Sequence, residues 1–372
     1  MLWIVHYSEI GLKKKNRDYF ERKLLENIKI QTKAKVERKR GRILVYGEDL
    51  EEKLSKIPGI EYFCRVIDIF KKPEELVEKF NINFSSISIV VKRADKDWPE
   101  NSLEIKNKLI KLILQKYPEI KIDFEKPEKT LFLEYFNKNF YFYLDKIKGI
   151  GGLPVGTGGK ALSLISCGFD SPVSSFLMIK RGVNVDFVHF YAYPQTSILE
   201  KEAVFEIFKI LSQYQPKSKI FFINILEAQK YILSNVPPKY LVIFYRRFML
   251  DIAKELANQY GYNAIITGEN LGQVSSQTIE NIWSISFDSN ILILRPLLGF
   301  NKQEIIDLSY KIGTGKISEK NYADCCNLYI SKFPATKTKI EEIIKIQEKL
   351  NLWEKFKKEC IENMEIYHWP GK

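Results

Sequence analysis

Apolar and polar positions alternate differently in the two parts of this chain. Over the first 150 residues, short apolar runs and amphipathic helical segments follow one another without a regular strand–helix–strand repeat. Strands are predicted at 3–7, 34–36, 42–46, 60–69, 87–91, 120–124, 130–135 and 139–144, and helices at 17–28, 51–56, 73–80 and 102–116. This mixture favours an α+β architecture.

From residue 161 onward, fully apolar strands alternate with helices. The strands are predicted at 161–165, 185–190, 220–225, 264–267 and 291–294, and the helices at 172–181, 199–214, 238–259, 302–312 and 338–355. That pattern is typical of a parallel sheet covered on both faces, with ligands at the carboxyl ends of its strands. The glycine-rich stretch 149–159 between the two parts predicts a flexible linker.

The composition indicates a globular protein of the reducing cytosol. A length of 372 residues, of which 45% are hydrophobic and 28% charged, corresponds to two or three domains with an ample core. No apolar run is long enough to cross a bilayer, and the N-terminal residues read as a strand rather than as a signal peptide. The five cysteines are odd in number and lack the spacing of a disulfide framework or zinc knuckle. We therefore expect a cytoplasmic protein with no membrane association.

The chain has a formal net charge of +12, and its basic residues are concentrated near the N-terminus. The basic residues of this region include Lys13, Lys14, Arg38, Lys39, Arg40 and Arg42. Such clusters neutralise phosphate in nucleic-acid-binding proteins, although any one of them is equally compatible with a solvated surface. Several clusters in one region favour a polyanion as partner.

The first candidate functional segment directly follows the predicted strand 161–165. The strand runs into the segment 166–171, Ser-Cys-Gly-Phe-Asp-Ser, and a helix starts near Pro172. A turn of small residues before a helix leaves backbone N–H groups unpaired at the helix N-terminus, where they bind phosphate. The Asp170 carboxylate suits Mg²⁺, and the Ser171 hydroxyl suits a phosphate oxygen. The alternative is an ordinary turn whose serines cap the helix.

The segment 166–171 differs from the Walker loop, since no lysine follows its glycine at the Walker spacing. It resembles the Ser-Gly-Gly-x-Asp-Ser signature of the PP-loop ATP pyrophosphatases, enzymes that cleave ATP between the α and β phosphates. One position departs from that signature, because Cys167 stands where a glycine is usual. If that glycine has a positive φ, a cysteine there carries strain on the order of 1 kcal/mol.

Six further segments carry a closer resemblance. They are Tyr-Ser-Glu-Ile-Gly-Leu-Lys at 7–13, His-Phe at 189–190, Arg-Arg at 246–247, Thr-Gly-Glu-Asn-Leu-Gly-Gln-Val-Ser-Ser-Gln at 267–277, Arg-Pro-Leu-Leu-Gly at 295–299 and Asp-Cys-Cys-Asn at 324–327. In this order they resemble the tRNA 4-thiouridine synthetases, also called tRNA sulfurtransferases of the thiamine-biosynthesis type. The resemblance covers nearly the whole chain.

The resemblance implies three domains. An N-terminal ferredoxin-like domain would span 1–50 and a THUMP RNA-binding domain 51–150, followed by a linker at 151–160. An α/β parallel-sheet PP-loop domain, of the adenine nucleotide α-hydrolase-like kind, would span 161–372.

The resemblance also implies an ATP site in which Asp170 holds the Mg²⁺ of Mg-ATP. The positions that match the family's ATP-binding residues are Leu164, Ile165, Ser166, Gly168, Ser171, His189, Phe190, Arg246, Gly268 and Gln277. Two of these assignments have an alternative. In the first, His189 is a histidine at the end of a strand whose hydrogen bonds are satisfied within the protein. In the second, Arg247 faces the site in place of Arg246.

Cys325 matches the family's catalytic cysteine, and a nucleophilic role requires the thiolate. The polar neighbours Asp324 and Asn327 favour an exposed sulfur, whereas free cysteines are commonly small buried hydrophobes. Cys326 and the loop residue Cys167 are candidate accessory thiols. Vicinal cysteines bridge poorly, so resolution by another thiol is more attractive than a disulfide between neighbours.

The segment 91–96, Val-Lys-Arg-Ala-Asp-Lys, resembles the RNA-facing segment of the family. Lys92 and Arg93 therefore join the early basic residues as candidates for phosphate contacts. We expect an extended RNA stem to be recognised by its shape and backbone.

The reaction implied by the resemblance is ATP-dependent formation of 4-thiouridine at position 8 of tRNA. The uridine oxygen at C4 would attack the α phosphate of ATP, and a sulfur nucleophile would then displace AMP. The sulfur would come from a persulfide made on a PLP-dependent cysteine desulfurase. Because the chain ends at Lys372, the resemblance is to the form without a rhodanese domain, and a separate rhodanese is a second route for sulfur.

Other functions stay open on the sequence alone. They are thiolation of another RNA position by a PP-loop enzyme, sulfur transfer to the thiazole of thiamine, and tRNA binding without catalysis. The last of these predicts tRNA affinity without consumption of ATP. We also expect a homodimer whose subunits share one RNA.

Overall fold

The computed structural model describes residues 1–320, 322 and 334–370 of the chain. It divides into two compact units, Met1–Pro154 and Val155–Lys372, which have hydrophobic cores of their own. In the part of the chain that the structure describes, no helix is both long and apolar enough to cross a membrane.

The first unit is an α+β structure built on two sheets. Its strands are β1 (Leu2–His6), β2 (Lys35–Lys39), β3 (Arg42–Tyr46), β4 (Tyr62–Val66), β5 (Asp68–Phe70), β6 (Ser86–Arg93), β7 (Lys121–Ile122), β8 (Lys129–Phe136), β9 (Asn139–Tyr143) and β10 (Ile147–Lys148). Its helices are α1 (Arg17–Thr32), α2 (Glu51–Ser55), α3 (Glu75–Lys79) and α4 (Ser102–Lys116), with a 3₁₀ helix at Glu9–Asn16.

Each sheet of the first unit is covered by helices on its apolar face. The first sheet has the order β10-β4-β1-β3-β2 and is antiparallel, and Val5 of β1 packs with Leu24 of α1 in its core. The second sheet has the order β5-β9-β8-β6-β7, with β6 parallel to both β7 and β8. α4 covers it through Ile105, Leu109 and Ile113, a buried stripe at helical spacing.

The predicted strand 60–69 is two strands, because the chain changes sheets in its middle. β4 pairs with β1 in the first sheet, and β5 pairs with β9 in the second. Between them, the Ile67 amide donates to the Phe142 carbonyl at 2.8 Å. Later, β10 returns to pair with β4. The predicted domain boundary at residue 50 lies before β4, which is an inner strand of the first sheet. Apolar periodicity predicts strands but does not show which of them pair.

A buried carboxylate, Glu134 of β8, joins the two sheets. Arg42 of β3 donates to it through Nε at 2.5 Å, His6 of β1 lies 3.3 Å away, and the Tyr143 hydroxyl donates at 3.2 Å. Burial raises the pKa of the Glu134 carboxyl, but His6 and Arg42 outweigh this effect and lower the pKa to about 2. The group is therefore ionised at neutral pH and ties strands of both sheets together.

The second unit is an α/β structure. Its strands are β11 (Lys160–Leu164), β12 (Asn184–Tyr191), β13 (Ser218–Asn224), β14 (Ala264–Ile266), β15 (Leu292–Leu294) and β16 (Glu365–Trp369). Its helices are α5 (Asp170–Lys180), α6 (Ile198–Ser212), α7 (Leu226–Asn235), α8 (Leu241–Tyr260), α9 (Ile279–Ser286), α10 (Lys302–Ile312), α11 (Gly315–Ser318), α12 (Ile340–Gln347) and α13 (Trp353–Glu362). Short 3₁₀ helices lie at Pro238–Tyr240 and Ser275–Gln277.

The sheet of the second unit has the order β15-β14-β11-β12-β13-β16. β11 to β15 are parallel, which confirms the predicted parallel sheet, and β16 adds an antiparallel edge strand that the sequence pattern did not indicate. The predicted helix 338–355 is two helices, α12 and α13, separated by residues 348–352. Because β11, β12, β14 and β15 point the same way, the loops that follow them meet at one edge of the sheet.

The glycine-rich stretch 149–159 is held to the backbone at both of its ends. In the first unit, the Gly151 amide donates to the Ile60 carbonyl at 2.8 Å, and a Cβ at Gly149 would lie 2.2 Å from the same oxygen. In the second unit, the Gly156 amide donates to the Gly182 carbonyl at 2.8 Å. Each end of the stretch is therefore part of the unit that it adjoins.

We expect Glu134→Gln to destabilise the first unit by roughly 3 kcal/mol, because the half-buried Arg42 loses its buried carboxylate partner. Hydrogen exchange of the β8 and β9 amides in the full chain measures the change. The folded pKa of about 2 lies below the unfolded value of 4.5, so this stabilisation is complete above pH 4.5 and is lost as the pH falls toward 2. The difference between the variant and the wild type should shrink over that window.

The matched control is Glu125→Gln, which changes an exposed carboxylate of the same unit. Equal amide protection in Glu134→Gln and wild type at neutral pH would show that the buried carboxylate does not hold the sheets together.

Candidate active site

Serine hydroxyls hold the turn between β11 and α5. The Ser166 amide donates to Ser171 Oγ at 2.8 Å, and the two hydroxyl oxygens lie 3.1 Å apart. The Gly168 amide donates to Ser166 Oγ at 3.4 Å. Phe169, the residue before the helix, provides no side-chain cap. Since the serines bond within the turn rather than cap α5, the amides of the first helical turn are available to an anion.

The loop after β14 approaches this turn more closely than a side chain would allow. At Gly268, a Cβ atom would lie 2.8 Å from the Ser171 amide nitrogen and 2.9 Å from its Cα. Both are backbone atoms, so they do not move aside as the end of a flexible side chain would. Glycine at position 268 therefore brings the β14 loop directly against the turn.

A cleft of about 220 Å³ opens beside the turn, at the carboxyl ends of β11, β12, β14 and β15. Its apolar wall consists of Leu164, Ile165, Phe190, Met249, Leu250, Ile285 and Ile293. Its polar wall consists of Ser166, Asp170, Ser171, His189, Arg246, Thr267, Gly268, Glu269, Gln277 and Arg295. An apolar slot beside open helix amides suits a planar base joined to phosphates.

The cleft brings together every predicted ATP-binding residue except Gly168. Gly168 lies in the turn, where its carbonyl accepts a hydrogen bond from Ser318 Oγ at 3.2 Å. His189 is buried, and its Nδ1 lies 2.9 Å from the Ile165 carbonyl. His189 thus ties the end of β12 to the end of β11 and also lines the cleft, so its position fits both interpretations.

Asp170 contacts a lysine that the sequence did not single out. Lys302 Nζ, at the start of α10, lies 2.9 Å from both carboxylate oxygens of Asp170, and Gln273 Nε2 donates to one of them at 3.2 Å. Among the described residues, no group of three or more His, Cys, Asp or Glu could hold a metal ion. A magnesium ion at Asp170 would therefore take its other oxygens from a bound phosphate and water.

The structure distinguishes the two neighbouring arginines of α8. Arg246 lines the cleft, with its Nη1 3.8 Å from Glu269 Oε1. Arg247 is buried against α9, where it donates to the Ser284 carbonyl at 2.8 Å and to Asp288 at 2.6 Å. Arg246 is therefore the arginine within reach of a ligand in the cleft, and Arg247 fixes α8 to α9.

Glu269 lies at the centre of a buried ion-pair network on the polar wall. It accepts hydrogen bonds from Thr267 Oγ1 at 3.0 Å and from Arg295 Nε at 2.5 Å, and Arg246 lies beside its other oxygen. Arg295 also donates through Nη2 to Ser286 Oγ at 2.8 Å. One carboxylate thus orients two guanidinium groups, so this network carries a net positive charge.

The described cysteines are buried. Burial raises the pKa of the Cys64 and Cys360 thiols to about 12. Cys167 is buried within the turn, and it is not one of the described non-glycine residues that have a positive φ, so the expected left-handed strain is not present. Cys325 and Cys326 lie outside the described residues.

Some predicted RNA-binding residues are occupied by internal partners. Arg42 is bound to the buried Glu134, and Arg38 pairs with Asp18 at 2.5 Å and with Glu21 at 2.6 Å. The remaining contacts of these candidates are Lys13 over the Phe20 ring, Lys39 with Glu37, Lys92 over the Tyr62 ring, and Arg93 with the Trp98 and Glu100 carbonyls.

Lys14 and Arg40 are among the predicted RNA-binding residues that are exposed. The Arg40 side chain is 83% exposed and lies 3.8 Å from Asp95. Lys14, Arg38, Lys39 and Arg40 line a surface depression of about 690 Å³. This depression is the candidate place for an RNA backbone on the first unit.

Comparison with protein families matches three regions of the chain. The thiamine biosynthesis protein (ThiI) family matches residues 156–352, the ThiI ferredoxin-like domain matches 2–64, and the THUMP domain matches 66–145. A probable tRNA sulfurtransferase of Thermoanaerobacter sp. (strain X514) is 38% identical over 377 residues, which cover 96% of this chain and 98% of the relative. The chain belongs to the ThiI family.

Two further comparisons support membership of the ThiI family. A probable tRNA sulfurtransferase of Thermoanaerobacter pseudethanolicus is 38% identical over 362 residues, 93% of this chain and 94% of the relative. A crystal structure of a 4-thiouridine synthetase in complex with RNA and bound ATP has a TM-score of 0.89 and 36% identity, covering 99% of each chain. The predicted order of ferredoxin-like, THUMP and PP-loop domains is confirmed, whereas the roles of individual site residues stay predictions.

Sequence reasoning did not assign Glu269, Gln273, Arg295 and Lys302 to the site. The first three lie in the segments 267–277 and 295–299, which the resemblance had marked without indicating which side chains face the cleft. Lys302 gave no local signal, because its contact with Asp170 joins residues that are 132 positions apart.

We expect Gly268→Ala to weaken ATP binding by roughly tenfold or more, because the added methyl group separates the β14 loop from the Ser171 backbone and overpacking of this kind is costly. Titration calorimetry with ATP measures the dissociation constant. Gly299→Ala is the control, since a Cβ there meets no atom within 4 Å. Unchanged ATP affinity in Gly268→Ala would contradict the role of this close approach.

Arg246→Gln should affect ATP binding, whereas Arg247→Gln should affect stability. Arg246→Gln should raise the KM for ATP by roughly tenfold through the loss of a charge-assisted contact, with an unchanged melting temperature. Arg247→Gln should lower the melting temperature by about 5 °C and leave the KM unchanged, because the Ser284 carbonyl and Asp288 lose a buried donor. Scanning fluorimetry and AMP-formation kinetics measure the two effects, and the same profile in both variants would refute the distinction.

Proposed function

We propose that this chain is an ATP-dependent tRNA sulfurtransferase that makes 4-thiouridine at position 8 of tRNA. The observation that carries the proposal is the cleft in which the serine turn, Asp170 and Arg246 adjoin an apolar slot at the carboxyl ends of parallel strands. The relatives that match nearly the whole chain are named probable tRNA sulfurtransferases, and the similar 4-thiouridine synthetase structure contains RNA and ATP.

In this proposal, ATP binds as Mg-ATP with its adenine in the apolar slot between Ile165 and Phe190. Its phosphates accept hydrogen bonds from the turn amides and from Ser171, and Asp170 contributes one oxygen to Mg²⁺. Lys302, which contacts Asp170 in the structure, then pairs with the outer phosphates. Arg246 completes the site by pairing with the nucleotide from the opposite wall.

The first chemical step makes the uridine oxygen into a leaving group. The oxygen at C4 attacks the α phosphorus of ATP, the bond to the bridging oxygen breaks, and pyrophosphate leaves as the uracil ring loses its N3 proton. The turn amides and Arg246 offset the negative charge that develops on the phosphate, and a magnesium ion held at Asp170 would add to this stabilisation. The product of this step is a tRNA adenylated on the oxygen at C4.

The second step transfers sulfur from a persulfide on Cys325. The terminal sulfur attacks C4 and AMP leaves, so that the base is joined to Cys325 through a disulfide. A second thiol, Cys167 in preference to the neighbouring Cys326, attacks the Cys325 sulfur and releases 4-thiouridine. The resulting enzyme disulfide is reduced by an external thiol before the next turnover.

The proposed partners follow from this chemistry. A PLP-dependent cysteine desulfurase provides the persulfide, either directly or through a separate rhodanese. tRNA phosphates bind the basic depression of the first unit around Lys14 and Arg40, and two copies of the chain share one tRNA. A reducing cytoplasm is the proposed setting, since the described cysteines Cys64, Cys167 and Cys360 are free thiols.

Delivery of sulfur to the thiazole of thiamine is a second candidate function, which the description of the matching family as thiamine biosynthesis proteins favours. It would use the same Cys325 persulfide without the RNA contacts. Substitution of Lys14 and Arg40 would therefore impair tRNA thiolation and spare thiazole formation.

An unmodified tRNA transcript incubated with the protein, Mg-ATP and a persulfide source should gain 4-thiouridine, which nucleoside analysis detects. Asp170→Ala should lower the rate by about 100-fold or more, because the α phosphate would lose the stabilisation by a magnesium ion that Asp170 holds. Cys325→Ser should abolish thiolation and still form AMP. The exposed Asp307→Ala is the control. Thiolation without ATP, or at the wild-type rate in Asp170→Ala, would contradict the proposal, and tRNA binding without any ATP turnover would favour a non-catalytic role.

A further inference from the structure

A second groove adjoins the nucleotide cleft in the second unit. It has a volume of about 510 Å³ and lies between α9 and β15, the edge strand of the sheet. Its walls are mostly apolar and include Leu271, Ile279, Trp283, Phe287, Leu292 and Leu298. Trp283 is 56% exposed, so its indole ring is accessible to a ligand.

The groove and the cleft share two lining residues, Ile293 and Arg295. Arg295 is held in place at this junction by Glu269 through Nε and by Ser286 through Nη2. Within the described residues, its third nitrogen, Nη1, makes no hydrogen bond. The junction therefore presents a fixed hydrogen-bond donor between the two cavities.

We propose that this groove binds the acceptor nucleobase of the RNA substrate, stacked on Trp283 and hydrogen-bonded by Arg295. The proposal rests on the proposed sulfurtransfer reaction, in which an unpaired pyrimidine has to reach the α phosphate of ATP. Aromatic side chains stack on the faces of unpaired bases, and arginine donates to base oxygens. A base in the groove would lie against Arg295 and Ile293, which also line the cleft.

The lining of the groove favours a base over backbone phosphate. Arg295 is its single cation, and no carboxylate lines it in the part of the chain that the structure describes. Phosphate-binding surfaces instead gather several lysines and arginines, as the depression around Arg40 does. A second copy of the chain seated in the groove would cover Arg295, which also lines the cleft.

The two arginines bound to Glu269 would then serve different substrates. Arg246 reaches the nucleotide from α8, and Arg295 reaches the acceptor from the end of β15. Because the Glu269 carboxylate holds both arginines, ATP and the acceptor base are positioned relative to the same fixed group. Substitutions of the two arginines should therefore separate ATP binding from use of the RNA.

Photocrosslinking tests the groove directly. The full chain is irradiated with a tRNA transcript that carries 5-bromouridine at the acceptor position, and mass spectrometry should place the crosslink at Leu271 or within residues 279–298. Trp283→Ala should lower the crosslink yield by about tenfold, as expected for removal of one stacked ring. A crosslink in another segment would overturn the proposal whether or not the protein thiolates tRNA, so failure of the groove and failure of the reaction are distinguishable.

Kinetics provide the second test. Trp283→Ala should lower kcat/KM for tRNA by roughly tenfold, and the dissociation constant of ATP should stay within about twofold of wild type. Arg295→Lys should lower kcat/KM for tRNA by a similar factor and weaken ATP binding less, since Arg295 also lines the cleft. Tyr310→Ala, which removes an exposed ring of α10, is the control. An equal loss of ATP affinity would place Arg295 in the nucleotide site and overturn the assignment. A change in oligomeric state in Trp283→Ala, with a wild-type crosslink yield, would show that a second copy covers the groove and would also overturn it.

Discussion

The cleft depends on the contact between two backbones, the β14 loop at Gly268 and the start of α5 at Ser171. β11 and β14 are neighbours in the sheet, so the segments that follow them leave the same edge side by side. With no side chain at position 268, the β14 loop and the first turn of α5 pack at backbone distance. The residue after Gly268 is Glu269, which is thereby held next to the start of α5 and carries Arg246 and Arg295 with it. The position of the polar wall relative to the turn follows from this one approach.

Arginines of the same chain have structural and ligand-facing roles that only their partners distinguish. Arg42 is bound to the buried Glu134, and Arg247 is itself buried and donates to the Ser284 carbonyl, so their charges stabilise the fold. Arg40 and Arg246 have weaker partners at 3.8 Å and face solvent or a cleft. A guanidinium already satisfied by a buried carboxylate has little to offer a phosphate, because exchanging partners would leave the carboxylate uncompensated. The net charge of the chain therefore overstates the charge available to RNA.

Much of the catalytic unit could be predicted from the sequence because its signals are local. Apolar strands separated by helices specified the parallel sheet, and the turn at 166–171 marked the edge at which the cleft lies. The features that could not be predicted depend on contacts between residues that are far apart in the sequence. The contact of Lys302 with Asp170, the division of 60–69 between two sheets, and the choice between Arg246 and Arg247 are all decided by tertiary packing. The antiparallel strand β16 was missed because its exposed residues carry no apolar run.

The path of the chain through the first unit has a consequence for how such proteins evolve. The backbone leaves the first sheet after Val66 and rejoins it at Ile147, which pairs with Phe63 on the same strand that it left. The second sheet is thus nested within the first, with both of its connections at one place. A module attached in this way can be gained, lost or replaced by recombination at a single position while its host keeps every other strand. Nested topology therefore allows an RNA-recognition module to evolve separately from the enzyme that uses it.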